Sequence, residues 1–191
     1  TLDRRHITTI NYIYELPWYS KQKDLVGKLL GGWQVSGIVT AQTGLPFTAT
    51  YGSFDPGGVG FLNAASPAGG RAYVIGDPNS GGAQTQQQWF NTGAFMGVPS
   101  PTLFPALVGT GGRGIIEGPP TYRVDFTLTK NFRFTEPIRL QLRGEAFNVL
   151  NRTNFTTIAT AASTPTTVNA TTGVVSGFGT VTGTRDPRVI Q

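Results

Sequence analysis

The residues best suited to chemistry are five charged side chains that recur at alternate positions in two segments. They are Arg123, Asp125, Arg139, Arg143 and Glu145. Side chains two positions apart point to the same side of an extended strand, so each segment presents its charges on one face. Because nearly balanced charges on neighbouring strands usually form a cross-strand ladder, we expect these groups mainly to pair with one another. Direct contact with a solute is the alternative.

Motifs that would indicate an enzyme are weak or absent. Residues 109–114 match the G-x-G-x-x-G pattern, but a dinucleotide site needs a strand before it and a helix after it. Pro105 precedes the motif, and Gly118-Pro-Pro120 prevents a helix soon after it. His6 is the only histidine, there is no cysteine, and no G-x-S-x-G elbow is present. We therefore expect no catalytic residue, no metal site, no cofactor and no enzymatic activity.

A second candidate site lies in the long segment between two predicted strands. It consists of three large aromatic residues, Trp89, Phe90 and Phe95. Their rings could form a platform that contacts a ligand, or they could pack the segment onto itself. Packing is the favoured interpretation, and ligand contact is kept as the alternative.

Composition restricts the function classes further. The net charge is +5 and the pI is about 9.8, but the cations are scattered, and the closest group lies in one short connector. Nucleic-acid binding needs clustered Lys and Arg, so it is not expected. Only 13% of the residues are charged, against about 25% in typical domains, and the 26 glycines and 13 prolines favour a β-rich, loop-rich protein. No apolar run approaches the roughly 18 residues of a membrane-spanning helix.

Alternating apolar and polar residues predict four long strands. These strands are expected at about 6–16, 33–45, 122–134 and 138–148. The last places Leu140 and Leu142 on one face and its charges on the other. Strands in soluble sheets usually have about 5–6 residues, whereas about 9–11 residues cross a bilayer when the strand is tilted. The sequence therefore predicts an all-β fold, a partial antiparallel transmembrane β-barrel, as a single barrel fragment over residues 1–191.

The connections and the aromatic residues favour the same fold. Two shorter connectors join the strands at one end: residues 17–32, in which 23–30 can form one or two helical turns, and a tight turn at 135–137 that makes the last two strands an antiparallel hairpin. Long loops at 46–121 and 150–177 follow at the other end, which is the asymmetry of outer-membrane barrels. Aromatic side chains gather at both ends, as in the belts at membrane interfaces. The short-connector group is Tyr14, Trp18, Tyr19, Trp33, Phe132 and Phe134, and the long-loop group is Phe47, Tyr51, Tyr122, Phe147 and Phe155. The alternative is a secreted β-sandwich binding module, for example for carbohydrate, with the long loop as its site.

Several motifs, in order along almost the whole chain, resemble the late segments of TonB-dependent outer-membrane receptors of the Oar-like branch, which carry an N-terminal carboxypeptidase-regulatory-like domain. The motifs are Asp3-Arg-Arg-His6 before Asn11-Tyr-Ile-Tyr-Glu-Leu-Pro17, Gly32-Trp-Gln-Val-Ser-Gly37 with Thr43-Gly-Leu-Pro-Phe47, Phe90-Asn-Thr-Gly-Ala-Phe95, Asp125-Phe-Thr-Leu-Thr-Lys-Asn-Phe132, Leu142-Arg-Gly-Glu-Ala-Phe-Asn-Val-Leu-Asn-Arg-Thr-Asn-Phe155, and Phe178-Gly-Thr-Val-Thr-Gly-Thr-Arg-Asp-Pro-Arg-Val-Ile-Gln191. The resemblance implies the C-terminal part of a twenty-two-stranded barrel.

The resemblance also implies a location, partners and a function. The location is the outer membrane of a Gram-negative bacterium, and the function is energy-coupled uptake of a solute that the sequence does not identify. The partners are outer-membrane lipid, the rest of the barrel and its plug, and TonB, which acts through an N-terminal part that these 191 residues do not include. The five charged residues would then face the lumen of the barrel.

Overall fold

The computed structural model describes residues 3–19, 22–51, 70–96, 109–134, 138–162, 167–168 and 175–191. These residues are mostly antiparallel strands. The elements in chain order are β1 Ile7–Glu15, α1 Leu25–Leu30, β2 Trp33–Gln42, β3 Pro46–Phe47, a 3₁₀ turn Thr92–Ala94, β4 Ile116–Glu117, β5 Thr121–Arg133, β6 Arg139–Phe147, β7 Phe155–Ile158, β8 Thr167–Val168, β9 Val175–Ser176, β10 Val181–Thr184 and β11 Val189–Ile190. No helix among the described residues is long and apolar enough to cross a membrane.

The chain divides into two compact units. The sheet unit comprises His6–Gln42, Thr121–Thr153 and Asp186–Gln191. The loop unit comprises Thr1–Arg5, Thr43–Pro120 and Asn154–Arg185. The predicted strands belong to the first unit and most of the two predicted long loops to the second.

The sheet unit is a five-stranded sheet in the order β1-β2-β5-β6-β11, with antiparallel neighbours throughout. Residues opposite each other in such a pair share a face of the sheet. One row across four strands is Tyr12, Gly37, Phe126 and Ala146, and the next is Tyr14, Val35, Leu128 and Gly144. The apolar sets predicted for the separate strands therefore lie on one common face. A slip of one residue would exchange the faces, so the alternating pattern fixes this register.

The predicted strands are present, with ends that differ by up to three residues from the prediction. The predicted hairpin of β5 and β6 is confirmed, because Leu128 pairs with Gly144 and Phe132 pairs with Leu140 on the apolar face. Its tight turn at 135–137 lies outside the described residues, and Phe134 N donates to Ile138 O at 3.2 Å beside it. The helical turns expected within residues 23–30 form α1, which ends where Gly31 N donates to Gly27 O at 2.8 Å.

The loop unit has its own hydrophobic core. Tyr51, Phe90 and Ile116 are fully buried or nearly so. The Phe90 ring meets Phe95 and Phe178 edge to face, with centroids 5.8 Å and 5.1 Å apart. Strand pairs β3–β4, β7–β10 and β8–β9 complete the unit. The described parts of the predicted loops thus contain ordered structure, and residues 52–69, 97–108, 163–166 and 169–174 lie outside the description.

The predicted aromatic belt at the long-loop end is largely wrong. Tyr51 is completely buried in the core of the loop unit, and Phe47 and Phe155 pack against that core. Phe147 lies on the polar face of the sheet unit, where the Arg123 guanidinium carbon is 5.6 Å from its ring centroid. Of this group Tyr122 alone is an exposed aromatic residue on the apolar face. Sequence position placed these residues near strand ends but did not show that the loop folds around its own aromatic rings.

Candidate functional site

The five predicted charged residues lie on one face of the sheet unit, the polar face. Arg123 and Asp125 belong to β5, and Arg139, Arg143 and Glu145 belong to β6. The pairing of Thr127 with Glu145 and of Thr129 with Arg143 puts both groups on the same side. The alternating pattern and one register thus bring together side chains that are up to 22 positions apart in the sequence, from Arg123 to Glu145.

The charges pair within strands rather than between them. Arg123 Nε donates to Asp125 Oδ1 at 2.7 Å, and Arg143 Nη2 pairs with Glu145 Oε1. The cross-strand ion pairs predicted from the sequence do not form among the described residues of β5 and β6. The reason is the register: Arg143 and Glu145 face threonines, so the nearest opposite charge is two residues along the same strand.

These ion pairs remain accessible to water and to solutes. The side chains of Arg123 and Arg143 are 44% and 60% exposed. Exposed pairs of this kind contribute about 0–1 kcal/mol, so an anionic or cationic solute can compete for either partner at low cost. Asp125 is held more firmly, because its Oδ1 also accepts a hydrogen bond of 2.9 Å from Asn148 N. The polar face can therefore bind charged groups reversibly, and within the described ranges no group of His, Cys, Asp and Glu is arranged to hold a metal.

The opposite face of the same sheet, the apolar face, carries large side chains that remain exposed among the described residues. Ile10, Leu140 and Leu142 are 56%, 47% and 55% exposed. Exposed apolar patches of this extent mark contact with a partner or a membrane. Together with the polar face, they give the sheet the two-sided character of a barrel wall between lipid and lumen.

A family model described as an outer membrane beta barrel domain matches residues 1–191, the whole chain. The chain belongs to this family. The barrel domain is accordingly an outer-membrane, all-β protein whose barrel is not closed by these residues. No curated protein and no solved structure matches it. Family membership favours the predicted barrel over the secreted β-sandwich.

The barrel domain has polar-face residues that the prediction of the site did not include. Gln141 Nε2 donates to Asn131 Oδ1 at 2.8 Å and links β6 to β5 across the sheet. Arg133 lies directly opposite Arg139 and concentrates positive charge at the hairpin end of the face. The alternation in β5 would have found Asn131 and Arg133, since they continue the odd-numbered positions of Arg123 and Asp125.

A buried glutamine in the connector between β1 and β2 was also missed. Gln22 is 5% exposed, and its side-chain amide donates to Asn131 O at 2.8 Å and accepts from Arg133 N at 3.0 Å. The Gln22 amide thus makes the hydrogen bonds to the backbone at the end of β5 that a neighbouring strand would otherwise make. No periodic pattern marks such a residue, because it lies in an irregular connector.

The register places a lysine on the apolar face, at a position that the sequence prediction passed over. Lys130 is 3% exposed, and its Nζ donates to Leu29 O at 3.0 Å and also to Gly31 O. The ammonium lies 5.1 Å from the Trp33 ring centroid and 4.9 Å from that of Phe132. Carbonyl oxygens at the end of α1 and two aromatic faces thus compensate the charge on this face.

The predicted loop aromatics lie inside the loop unit. Trp89, Phe90 and Phe95 are 8%, 2% and 6% exposed. Trp89 Nε1 donates to Glu117 O at 2.9 Å, and its ring meets Phe155 edge to face. With these contacts, the segment that carries the three rings packs within the loop unit. Contact of these rings with a ligand stays a prediction.

Proposed function

We propose that this barrel domain is part of a TonB-dependent receptor that takes up a solute across the outer membrane with energy supplied through TonB. The observation that carries the proposal is the register of β1, β2, β5 and β6, which separates an exposed apolar face from a charged one over strands of 9–13 residues. Strands of that length can span a bilayer. The motif order that resembles Oar-like receptors supports the finer assignment.

In this function the polar face lines the lumen and forms part of the pore wall. Arg123, Asp125, Arg139, Arg143 and Glu145 keep the wall polar, and their exposed charges are the groups that a passing solute meets. No bond is made or broken, because the wall guides a solute and the energy comes from outside the barrel. The domain therefore acts as a transporter component and not as an enzyme.

The open edges of the sheet support partners in the same membrane. Among the described residues β1 pairs with β2 alone, and β6 pairs beyond β5 with Val189, Ile190 and Gln191. Alternation along the ladder turns the backbone groups of Arg139, Gln141 and Arg143 to that same side, where the described residues supply no further strand. Unpaired backbone groups in hydrocarbon cost several kcal/mol each, so further barrel strands are the expected neighbours. The proposal adds a plug within the barrel and TonB as the energy source.

The transport assignment is tested by removing either the gene or TonB in the source bacterium. Solutes left in a defined mixed medium are compared between the wild type and the two mutants. We expect both mutants to leave the same solute unconsumed, since the receptor and its energy source act in one step. Uptake that persists without TonB would instead indicate a passive pore, and unchanged uptake without the gene would contradict transport of any tested solute.

The assignment of the faces is tested by cysteine labelling, because the 191 residues contain no cysteine. Thr127→Cys lies on the polar face and Leu128→Cys on the apolar face of the same strand. In membranes, a water-soluble maleimide should label the first and leave the second unlabelled, because lipid excludes the reagent. Equal labelling of both positions would contradict a lumen-and-lipid arrangement. Labelling of both in denaturant provides the control for intrinsic reactivity.

A further inference from the structure

The short helix α1 is fixed on the apolar face of the sheet at its short-connector end. Leu29 O accepts hydrogen bonds from Trp33 Nε1 at 3.2 Å and from Lys130 Nζ at 3.0 Å. Gly31 O is a second acceptor for the same ammonium group. These bonds hold the last turn of the helix beside β2 and β5, within a single unit of the structure.

A groove of about 330 Å³ lies between this helix and the sheet. Small-molecule sites in proteins usually measure about 300–1,000 Å³. The lining is mainly apolar, and consists of Leu29, Trp33, Leu128, Lys130, Phe132, Leu142, Arg143 and Gly144. Gly144 leaves the floor open, because a Cβ at this position would meet nothing within 4 Å. The groove therefore has the shape and chemistry to accept a hydrocarbon chain.

The rim of the groove is positively charged. Lys28 Nζ lies 6.0 Å from the Phe134 ring centroid, and Phe134 stacks on Phe132, a lining residue, with centroids 6.2 Å apart. Lys130 lines the groove with an ammonium group that donates to Leu29 O, and Lys23 precedes the helix. Asp24 is the single acidic residue in the described connector from 22 to 32. Arg143 borders the groove from a strand position whose side chain lies on the polar face, where it pairs with Glu145. An anionic headgroup above an apolar chain complements this arrangement.

The position in the membrane identifies the source of such a ligand. Outer-membrane barrels have their short connections on the periplasmic side, so α1 is placed at the inner leaflet. The same connector exposes Trp18, Tyr19 and Leu25 by 65%, 57% and 86%. Aromatic and apolar side chains with nearby lysines are typical of segments at the headgroup level. We propose that the groove binds one anionic glycerophospholipid of the inner leaflet, with an acyl chain against Gly144 and the phosphate at Lys28.

The headgroup part is tested by native mass spectrometry of the whole protein in detergent, titrated separately with phosphatidylglycerol and phosphatidylcholine. Wild type should retain one phosphatidylglycerol about fivefold more tightly than phosphatidylcholine, the effect of roughly one lysine at a lipid surface. Lys28→Gln should abolish that preference. Arg188→Gln is the matched control. It removes the same charge just before β11, which pairs with the far end of β6, and should leave the preference intact. Equal retention of both lipids by wild type, or an unchanged preference in Lys28→Gln, would overturn the proposal.

The acyl-chain part is tested by filling the groove. Gly144→Leu puts a side chain into the open floor and should weaken both lipids about tenfold, as expected for the loss of a few methylene contacts. Thr127→Leu adds apolar bulk on the opposite face of the same hairpin and should not change retention. Heat-modifiable gel migration identifies correctly assembled barrels for these measurements. Unchanged retention in assembled Gly144→Leu would overturn the groove as the site. Because lipid retention does not depend on uptake, this result is independent of the transport proposal.

Discussion

The sheet unit and the loop unit handle their apolar side chains in opposite ways. The loop unit buries its large rings in its own core, where Tyr51 is 0% and Phe90 is 2% exposed. The sheet unit leaves Ile10 and Leu142 more than half exposed in the middle of β1 and β6. In an outer-membrane barrel the bilayer covers the second kind of surface. One chain can therefore bury apolar side chains in its own core in one unit and against lipid in the other. Exposure of an apolar side chain in the isolated chain does not by itself mean that the surface is unstable.

The largest difference should appear when a ring is removed from the loop unit. Phe90→Ala deletes a buried ring that contacts Phe95 and Phe178, and should reduce the stability of that unit by about 3–5 kcal/mol. Leu142→Ala in the sheet unit is the control, because its side chain is 55% exposed and leaves no internal cavity. Native-state hydrogen exchange in micelles measures the opening free energy of each segment. An equal cost for both variants would contradict the distinction between the units.

A charge on the apolar face should have the next largest effect. Leu128→Arg, or Leu140→Arg, puts a guanidinium where the bilayer lies and should impair barrel assembly by about 2–4 kcal/mol near the midplane. Thr127→Arg, on the polar face of the same strand, should be milder. Heat-modifiable gel migration measures the assembled fraction of each variant. If the three variants assemble equally well, the apolar face is not in contact with lipid.

Two glycines on the apolar face sharpen the comparison within the sheet unit. A Cβ at Gly37 would collide with Asp125 O and lie 2.5 Å from Tyr12 Oη, so Gly37→Ala should cost about 1–3 kcal/mol. Gly144→Ala meets nothing within 4 Å and should be neutral or stabilise by up to about 1 kcal/mol. Urea unfolding in lipid vesicles gives both values. A larger cost at Gly144 than at Gly37 would show that the Tyr12 ring does not cover Gly37 in the membrane.

The sheet unit could be predicted well from sequence because its information is periodic. Alternation predicted the strands, the hairpin of β5 and β6 and the common face of Arg123 and Glu145. The prediction was wrong where partners depend on tertiary contacts. The ion pair of Arg143 follows from what lies opposite it, and the compensation of Lys130 depends on where α1 ends. The strands of the loop unit are short, and its aromatic rings contact residues that are distant in sequence. No local pattern in the sequence therefore predicts its core.

The buried phenol of the loop unit should contribute to stability in a pH-dependent way. Tyr51 Oη donates to Met96 O at 3.1 Å and accepts from Tyr73 N at 3.0 Å. Burial raises the pKa of Tyr51 above its usual value, and the hydrogen bond from Tyr73 partly offsets this. The folded state therefore holds the phenol proton more tightly than the unfolded state does. Its stabilising contribution is complete below the ordinary tyrosine pKa of about 10 and is lost as the pH rises through the folded-state value.

Tyr51→Phe separates this titration from the hydrogen bonds. At neutral pH the variant should lose about 1–3 kcal/mol, the cost of two hydrogen bonds at a buried position. Above pH 10 the difference from wild type should shrink. The Tyr51 phenol ionises at a lower pH in the unfolded state than in the folded state, and this destabilises wild type but not the variant. Tyr14→Phe, at a 61% exposed ring of the sheet unit, is the control and should leave the stability of the loop unit unchanged. Hydrogen exchange of the loop unit at two pH values measures both. A pH-independent difference would show that Tyr51 does not ionise on unfolding in this range, whereas convergence would confirm that the phenol is held away from water in the core of the loop unit.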